Sequence, residues 1–267
     1  MLSRLFRFIH LIVAQRQLIL ALSKREIASQ YIGSMLGVVW TFIQPAVMIF
    51  VFWFVFSVGF KTKPMNDVPF VVWLTAGMAP WFVFSDIVVR SSTAIVGYTH
   101  LIKKSVFPSQ ILPVVKVISC MFTHSAFVLL LLFLLVFQKI SIGLYALQFF
   151  YYLFCLCVLA LGIGWMVAAL NVFIRDVGQI VAVIMQVGFW ATPIFWDITI
   201  MPQKVQAILK LNPVYYIVQG YRDSFIYSVS FWHRPHYTLY FWVVTIGCFL
   251  VGALVFRKLK GQFADVL

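Results

Sequence analysis

Arg25-Glu26-Ile27-Ala28-Ser29-Gln30-Tyr31-Ile32-Gly33-Ser34-Met35-Leu36-Gly37 runs straight into an apolar segment, residues 38–60, that carries Gln44-Pro45. A charged stretch suited to an interface is followed by two glycines and then by enough apolar residues to cross a bilayer, with a polar break near the start. Crossing ~30 Å of hydrocarbon takes roughly 20 apolar residues as a helix, because each unpaired backbone amide in lipid costs several kcal/mol. Five further segments meet that requirement: residues 68–89, 114–137, 146–170, 177–196 and 237–256. All six are continuously apolar and do not alternate over stretches of about 10 residues, so they predict helices and not barrel strands. The expected fold class is an all-α membrane protein with six transmembrane helices. An even number places both termini on one side.

Composition agrees. Hydrophobic residues make up 63% of the chain, charged residues only 10%, and mean hydropathy is +1.01, whereas soluble domains carry about a quarter charged residues. No removable signal peptide is expected, since Arg4, Arg7 and Arg16 punctuate the N-terminal stretch and no small-residue cleavage pattern follows. With the N-terminus inside, the cytoplasmic side carries twelve basic residues, Arg4, Arg7, Arg16, Lys24, Arg25, Arg90, Lys103, Lys104, Arg175, Arg257, Lys258 and Lys260. The outer side carries seven, Lys61, Lys63, Lys139, Lys204, Lys210, Arg222 and Arg234. Basic flanks favour the cytoplasm, so both termini are expected there. Lys116, near the inner start of the third span, is expected to snorkel to the interface. The net charge of +13 is scattered along membrane edges and not gathered in a soluble module. It reads as topology signal with anionic lipid contact and without nucleic-acid binding. Cys120, Cys155, Cys157 and Cys248 all fall in expected spans and read as small packing residues.

Residues 1–37 form an amphipathic interface region: Leu2, Leu5, Phe6, Ile9 and Val13 recur at helical spacing with Arg4, Arg7 and His10 off that stripe. A second surface helix, about residues 16–31, is expected to follow. Residues 38–256 form the transmembrane domain and 257–267 a cytoplasmic tail. Between the second and third spans, residues 91–104 place Ala94, Ile95, Tyr98, Leu101 and Ile102 at helix-compatible spacing. After the fourth span the loop Asn171-Val172-Phe173-Ile174-Arg175-Asp176-Val177 is very short; Arg175 either pairs with Asp176 or reaches the first surface helix. Residues 197–236 predict two short amphipathic helices broken at Asn212-Pro213, too apolar for a solvated loop.

No glycine-rich loop ending in Gly-Lys-Ser/Thr is present to cradle ATP phosphates. The seven acids, Glu26, Asp67, Asp86, Asp176, Asp197, Asp223 and Asp265, are dispersed, so no catalytic residues and no metal site are assigned. Asp86 stands four residues before Arg90, which predicts a local ion pair. His124, alone in a span, reads as a hydrogen-bonded packing residue. This pattern disfavours a membrane-bound acyl- or glycosyltransferase and an ion-coupled carrier. The aromatic content, 18%, is conspicuous. At 100° per residue Phe42, Trp53, Phe56 and Phe60 share one stripe of the first span. They are expected either to line a channel and stack on sugar rings or to pack between helices.

The spacing Tyr31, Gly33, Ser34, Gly37 and Trp40 resembles the motif that opens the first span in permease subunits of ABC transporters exporting bacterial surface polysaccharides. The resemblance extends with decreasing sharpness over nearly the whole chain. It implies a half-channel in the bacterial inner membrane that pairs with a second copy of itself and with two ATP-binding cassette subunits. Those subunits bind ATP and magnesium; this chain holds no cofactor. The implied substrate is a lipid-linked polysaccharide, O-antigen above all, with capsular polysaccharide and teichoic acid as neighbouring possibilities. The resemblance also implies that residues 91–104 are a coupling helix, with Gly97, Tyr98, His100, Leu101 and Lys103 against the ATPase. Arg25, Glu26, Tyr31, Gly33, Ser34, Gly37 and Arg175 would then form an interface motif framing the pore entrance, and residues 197–236 would be re-entrant helices closing the outer mouth.

Overall fold

A computed structural model describes residue 8 and residues 10–62, 68–104 and 107–267. The stripe residues Leu2, Leu5, Phe6 and Ile9 lie outside the described residues. In chain order the helices are α1 (Arg16–Ser29), α2 (Gly37–Gly59), α3 (Phe70–Ser92), α4 (Thr99–Lys104), α5 (Leu112–Phe137), α6 (Gln148–Phe173), α7 (Asp176–Ala191), α8 (Gln203–Leu209), α9 (Pro213–Arg222), α10 (Pro235–Leu259) and α11 (Phe263–Val266). No β-sheet occurs among the described residues.

Among the described residues five helices are long and apolar enough to cross a membrane: α2, α3, α5, α6 and α10. The sixth expected span, residues 177–196, is shorter than the sequence predicts. It is the 16-residue α7, about 24 Å long at 1.5 Å per residue. The cause is local: Thr192 precedes Pro193, the proline ring disfavours the helical region for that residue, and Thr192 takes ψ 135°.

The bundle is organised around α3, whose most apolar window is 78% buried, against 17% for α2 and 22% for α10. Val72, Leu74, Met78 and Ile87 are fully enclosed by α5, α6 and α9. Pro80 sits inside α3 where those neighbours surround it. The polar break expected at Gln44-Pro45 is not a break. The helix runs through Pro45, losing only the bond to the Thr41 carbonyl, and the irregularity falls further on, where residues Phe54–Gly59 widen into a π-helix that donates from Phe60 N to Val55 O at 2.9 Å.

Helices α6 and α10 cross at Gly162 and Gly252. A Cβ added at Gly162 would lie 2.7 Å from the Phe249 Cα, and one at Gly252 would strike the Gly162 carbonyl. In lipid, helices associate by close packing and not by expelling water, so small residues at the crossing decide the fit. Gly252→Leu is expected to force the pair apart at a cost of about 3 kcal/mol or more, above the usual overpacking range because the obstacle is backbone. The unfolding midpoint of the detergent-purified variant checks this. A midpoint matching the parent would mean that the crossing can give way.

A second cluster closes the end of the bundle where the basic residues gather. Ile19 and Leu22 of α1 pack with Ile95, Tyr98, Leu112 and Val115, with Trp165 of α6, and with Phe256 and Phe263 from the C-terminal end. Burying Ile19 and Leu22 contributes about 1.5–3 kcal/mol each, which seats α1 on the bundle. The far end holds residues 192–234, packed over the mouths of α3, α6 and α10. Cys120, Cys155, Cys157 and Cys248 are all free thiols.

Candidate functional site

The opening motif folds as a turn between α1 and α2. Gly33 (φ 79°) and Gly37 (φ 50°) both occupy the left-handed region, where a side chain is strained even though open space surrounds both glycines. Ser34 Oγ accepts from Gly37 N at 3.2 Å and fixes the approach to the first helical turn. The Tyr31 hydroxyl is bonded to Thr41 Oγ1, one turn into α2. Tyr31, Gly33, Ser34 and Gly37 therefore turn the chain from the surface helix into the span. Trp40 is half-exposed beside them.

Glu26 projects from α1 into a junction of three segments. Its Oε1 lies 2.6 Å from Lys116 Nζ of α5 and accepts from the Tyr98 hydroxyl at 2.8 Å. The Lys116 ammonium sits 5.8 Å from the Tyr98 ring centroid. Lys116 thus does not snorkel to the interface; its charge is held inside by a partner that only tertiary packing supplies. Burial works to raise the Glu26 carboxyl, but the hydrogen bond and charge of Lys116, aided by Tyr98, outweigh it and hold the group below its ordinary value. Burial and the Glu26 carboxylate together push the Tyr98 phenol well up, so it remains a donor.

The expected coupling set divides into two. Residues 91–104 are not one helix: α3 runs on to Ser92, a 3₁₀ turn covers Val96–Tyr98, and α4 follows. Gly97, His100 and Lys103 are exposed, whereas Tyr98 is 6% exposed and Leu101 is half-buried against the second cluster. Tyr98 therefore anchors the loop to α1, and only its neighbours face outward. Arg25 is exposed on α1. Arg175 is exposed too, and among the described residues no ion pair joins it to Asp176 or to α1. The short loop is held instead by Asn171 Oδ1, which accepts from Gly178 N at 2.9 Å. The expected Asp86–Arg90 pair is present at 3.7 Å, and His124 Nε2 lies 3.0 Å from the Tyr221 hydroxyl, which suits a packing residue.

The aromatic stripe of α2 is not one open face. Phe42 and Phe60 are exposed, but the Phe56 ring lies 5.0 Å from Phe195 and 6.2 Å from Phe70, and Trp53 is partly buried against the main core. Two causes combine: the π-helix after Trp53 abandons the 100° step, and residues 192–196 fold back over the end of α2.

In the far segment, α8 and α9 are broken at Asn212, whose side chain accepts from Val214 N at 3.0 Å and donates to Thr192 Oγ1 at 2.9 Å. Arg222, counted above as a topology charge, is 2% exposed. It donates to the Pro193 carbonyl at 2.9 Å and the Ile194 carbonyl at 2.7 Å, and its guanidinium lies 3.5 Å over the Trp73 ring. A guanidinium satisfies two carbonyls in one plane while stacking on an aromatic face, which a lysine ammonium cannot do. Arg222 thus clamps the stretch after α7 onto α3 and α9. Nothing local in the sequence distinguishes it; the Tyr-rich context of residues 214–227 is the nearest signal.

The surface helix beyond its first residue, the turn motif, the exposed loop between spans and most of the folded far segment all fall within residues 17–226, which match the ABC-2 type transporter family model. The chain belongs to the ABC-2 type transporter family. Its relatives include the O-antigen export system permease protein RfbA of Klebsiella pneumoniae, 24% identical over 258 residues that cover 94% of this chain and 95% of the relative. The protein of the same name from Myxococcus xanthus is 29% identical over 83% of this chain and 85% of its own. The polysialic acid transport protein KpsM of Escherichia coli is 22% identical over 79% and 81%. The match to the ABC-2 model spans the opening motif, the Glu26 junction and the Arg222 clamp. As an ABC-2 permease the chain is a transporter subunit and not an enzyme, and its family implies an ABC ATPase partner.

Proposed function

We propose that this chain is the membrane-spanning permease of an ABC exporter that moves a lipid-linked polysaccharide, O-antigen in the first place and a capsular polymer in the second, across the bacterial inner membrane. The observation that carries this reading is the likeness to O-antigen export permeases over almost the entire chain; the named capsular relative supports the second substrate.

The burial pattern supports a paired half-channel. On α7 only Val181 is buried, and α2 is buried over barely a sixth of its window, so one side of the chain offers apolar helices without partners. A second copy seated there encloses the polymer's path between the two chains. At about 24 Å, α7 crosses most of the hydrocarbon and completes six passages, its remainder made up by residues 192–196 under the Arg222 clamp. Both termini then lie in the cytoplasm with the basic end. Two ATPase subunits dock there against Gly97, His100 and Lys103 and bind the ATP and magnesium. The junction of Glu26, Lys116 and Tyr98 passes their movement to α1 and α5. Residues 197–236 dip into the outer leaflet and close the mouth.

Co-expression with an ABC ATPase in a strain lacking its own permease tests the reading. Gly97→Asp is expected to leave the complex assembled and hydrolysing ATP while surface polysaccharide falls about tenfold. The isolated chain is expected to hydrolyse none. Normal export by Gly97→Asp would remove the coupling role from this loop, and hydrolysis by the isolated chain would remove the half-transporter reading altogether.

A further inference from the structure

The far end of the bundle holds a cavity of about 540 Å³, within the range of small-molecule sites. It lies between α8, α9, the start of α10 and Trp73 of α3. We propose that it is a saccharide subsite that takes one sugar ring of neutral character. The proposal deepens the exporter reading above, which supplies the outer location and the polymer.

Three observations point to this ligand. First, six tyrosines, Trp73 and Phe231 line the cavity, giving flat faces on which the C–H side of a pyranose ring seats through the same quadrupole that orders aromatic pairs. Several of these rings are fixed before any ligand arrives: the Tyr227 hydroxyl accepts from Trp73 Nε1 at 3.0 Å, and Tyr240 donates to the Leu211 carbonyl at 2.7 Å. Second, polar capacity is left over. Arg222 lines the cavity, is almost wholly buried, and its Nε–H has no hydrogen-bond partner. Tyr215 and Tyr237 make no hydroxyl hydrogen bond among the described residues. Sugar hydroxyls both donate and accept, so they match an unspent guanidinium N–H and phenols at once. Third, the charges nearly cancel. Lys210, Arg222 and Arg234 face Asp197 and Asp223, with Arg234 and Asp223 3.9 Å apart. A phosphate trap requires several cations free of carboxylates, whereas this wall holds only one cation more than its two carboxylates. A cavity of this kind would hold a ring of the emerging polymer while the next repeat advances.

The test is saturation-transfer NMR on the full chain in nanodiscs, titrated separately with mannose, galactose, N-acetylglucosamine and inorganic phosphate. Saturable binding of at least one neutral sugar is expected, weakened about five- to tenfold in Tyr237→Ala and less in Tyr215→Phe. Tyr237 is 40% exposed, so its truncation leaves the fold intact, and a monodisperse elution profile verifies this for both variants. No binding by any of the three sugars, binding of phosphate alone, or sugar binding unchanged in both variants would each overturn the subsite. Binding is read without ATP or transport. A cavity that takes no sugar therefore leaves the exporter reading standing, and a chain that binds sugar but supports no export retains the subsite without it.

Discussion

Arg222→Leu is expected to destabilise the protein by about 4 kcal/mol. The substitution removes two charge-assisted hydrogen bonds and leaves the Pro193 and Ile194 carbonyls buried without a donor, at about 1–3 kcal/mol each. It also forfeits the stacking on Trp73, worth about 2 kcal/mol when desolvated. Arg222→Lys is expected to recover less than half, since an ammonium reaches one carbonyl at a time and does not stack. Thermal unfolding of the purified chain, followed by loss of the monodisperse peak, measures both. The far segment is expected to loosen first, so protease cleavage within residues 192–212 should precede loss of the bundle. A leucine variant as stable as the parent would show that the clamp carries no net stability.

The second large effect is expected at the junction of α1, α5 and the loop before α4. Lys116→Met leaves the Glu26 carboxylate without its ion-pair partner, and Glu26→Gln leaves the Lys116 ammonium without its own. Their side chains are 10% and 17% exposed, so each single substitution is expected to cost about 3–5 kcal/mol. The double variant should cost distinctly less than the sum, because neither charge is then stranded. The same junction sets a pH dependence. The folded Glu26 carboxyl titrates below its ordinary value of 4.5; its contribution is therefore complete above that value and is lost as pH falls through the lower, folded one. Hydrogen exchange of α1 amides is expected to rise as pH drops below about 4.5 once the intrinsic pH dependence of exchange is removed, and to rise less in the double variant. Additive single costs, or an α1 whose protection ignores pH, would sever Glu26 from the seating of α1.

Much of the architecture was legible because lipid leaves few choices. Backbone groups in hydrocarbon have to be satisfied within the segment, so a long apolar run reads as a helix wherever it occurs. α3, α5, α6 and α10 all fall where that rule places them. The one shortfall, α7, arose because hydropathy extends through Phe195 while Thr192-Pro193 does not continue a helix; the proline outweighs the apolar run. The break at Asn212-Pro213 was legible for the same kind of reason, since an asparagine cap and a proline at the first helical position are local chemistry. The opening motif was recognisable by its spacing, and its glycines have a local cause, two left-handed residues in one turn.

The parts of the candidate site that were misread depend on what lies across the bundle. The family resemblance grouped Tyr98 with Gly97 and His100 against the ATPase, but membership of one loop does not say which residue faces inward; Glu26, 72 residues away, decides that by drawing the Tyr98 hydroxyl to itself. Spacing put Phe56 on one stripe with Phe42, Trp53 and Phe60 and left open whether that stripe lines a channel or packs between helices; the Phe195 ring, 139 residues away, sets Phe56 in packing. Lys116 and Arg222 looked like edge charges because a basic residue in a membrane protein is usually one. The sequence by itself determined that this chain crosses a membrane as helices, where most of them begin and end, and which family it resembles, since each depends on local apolarity and local turn chemistry. Only the tertiary structure decided that two of its cations are buried anchors, which loop residues remain open to a partner, and that tyrosines from four separate stretches meet around one cavity. Those outcomes are set by contacts between residues distant along the chain, and a buried charge or an assembled cavity exists only once its distant partners have been brought together.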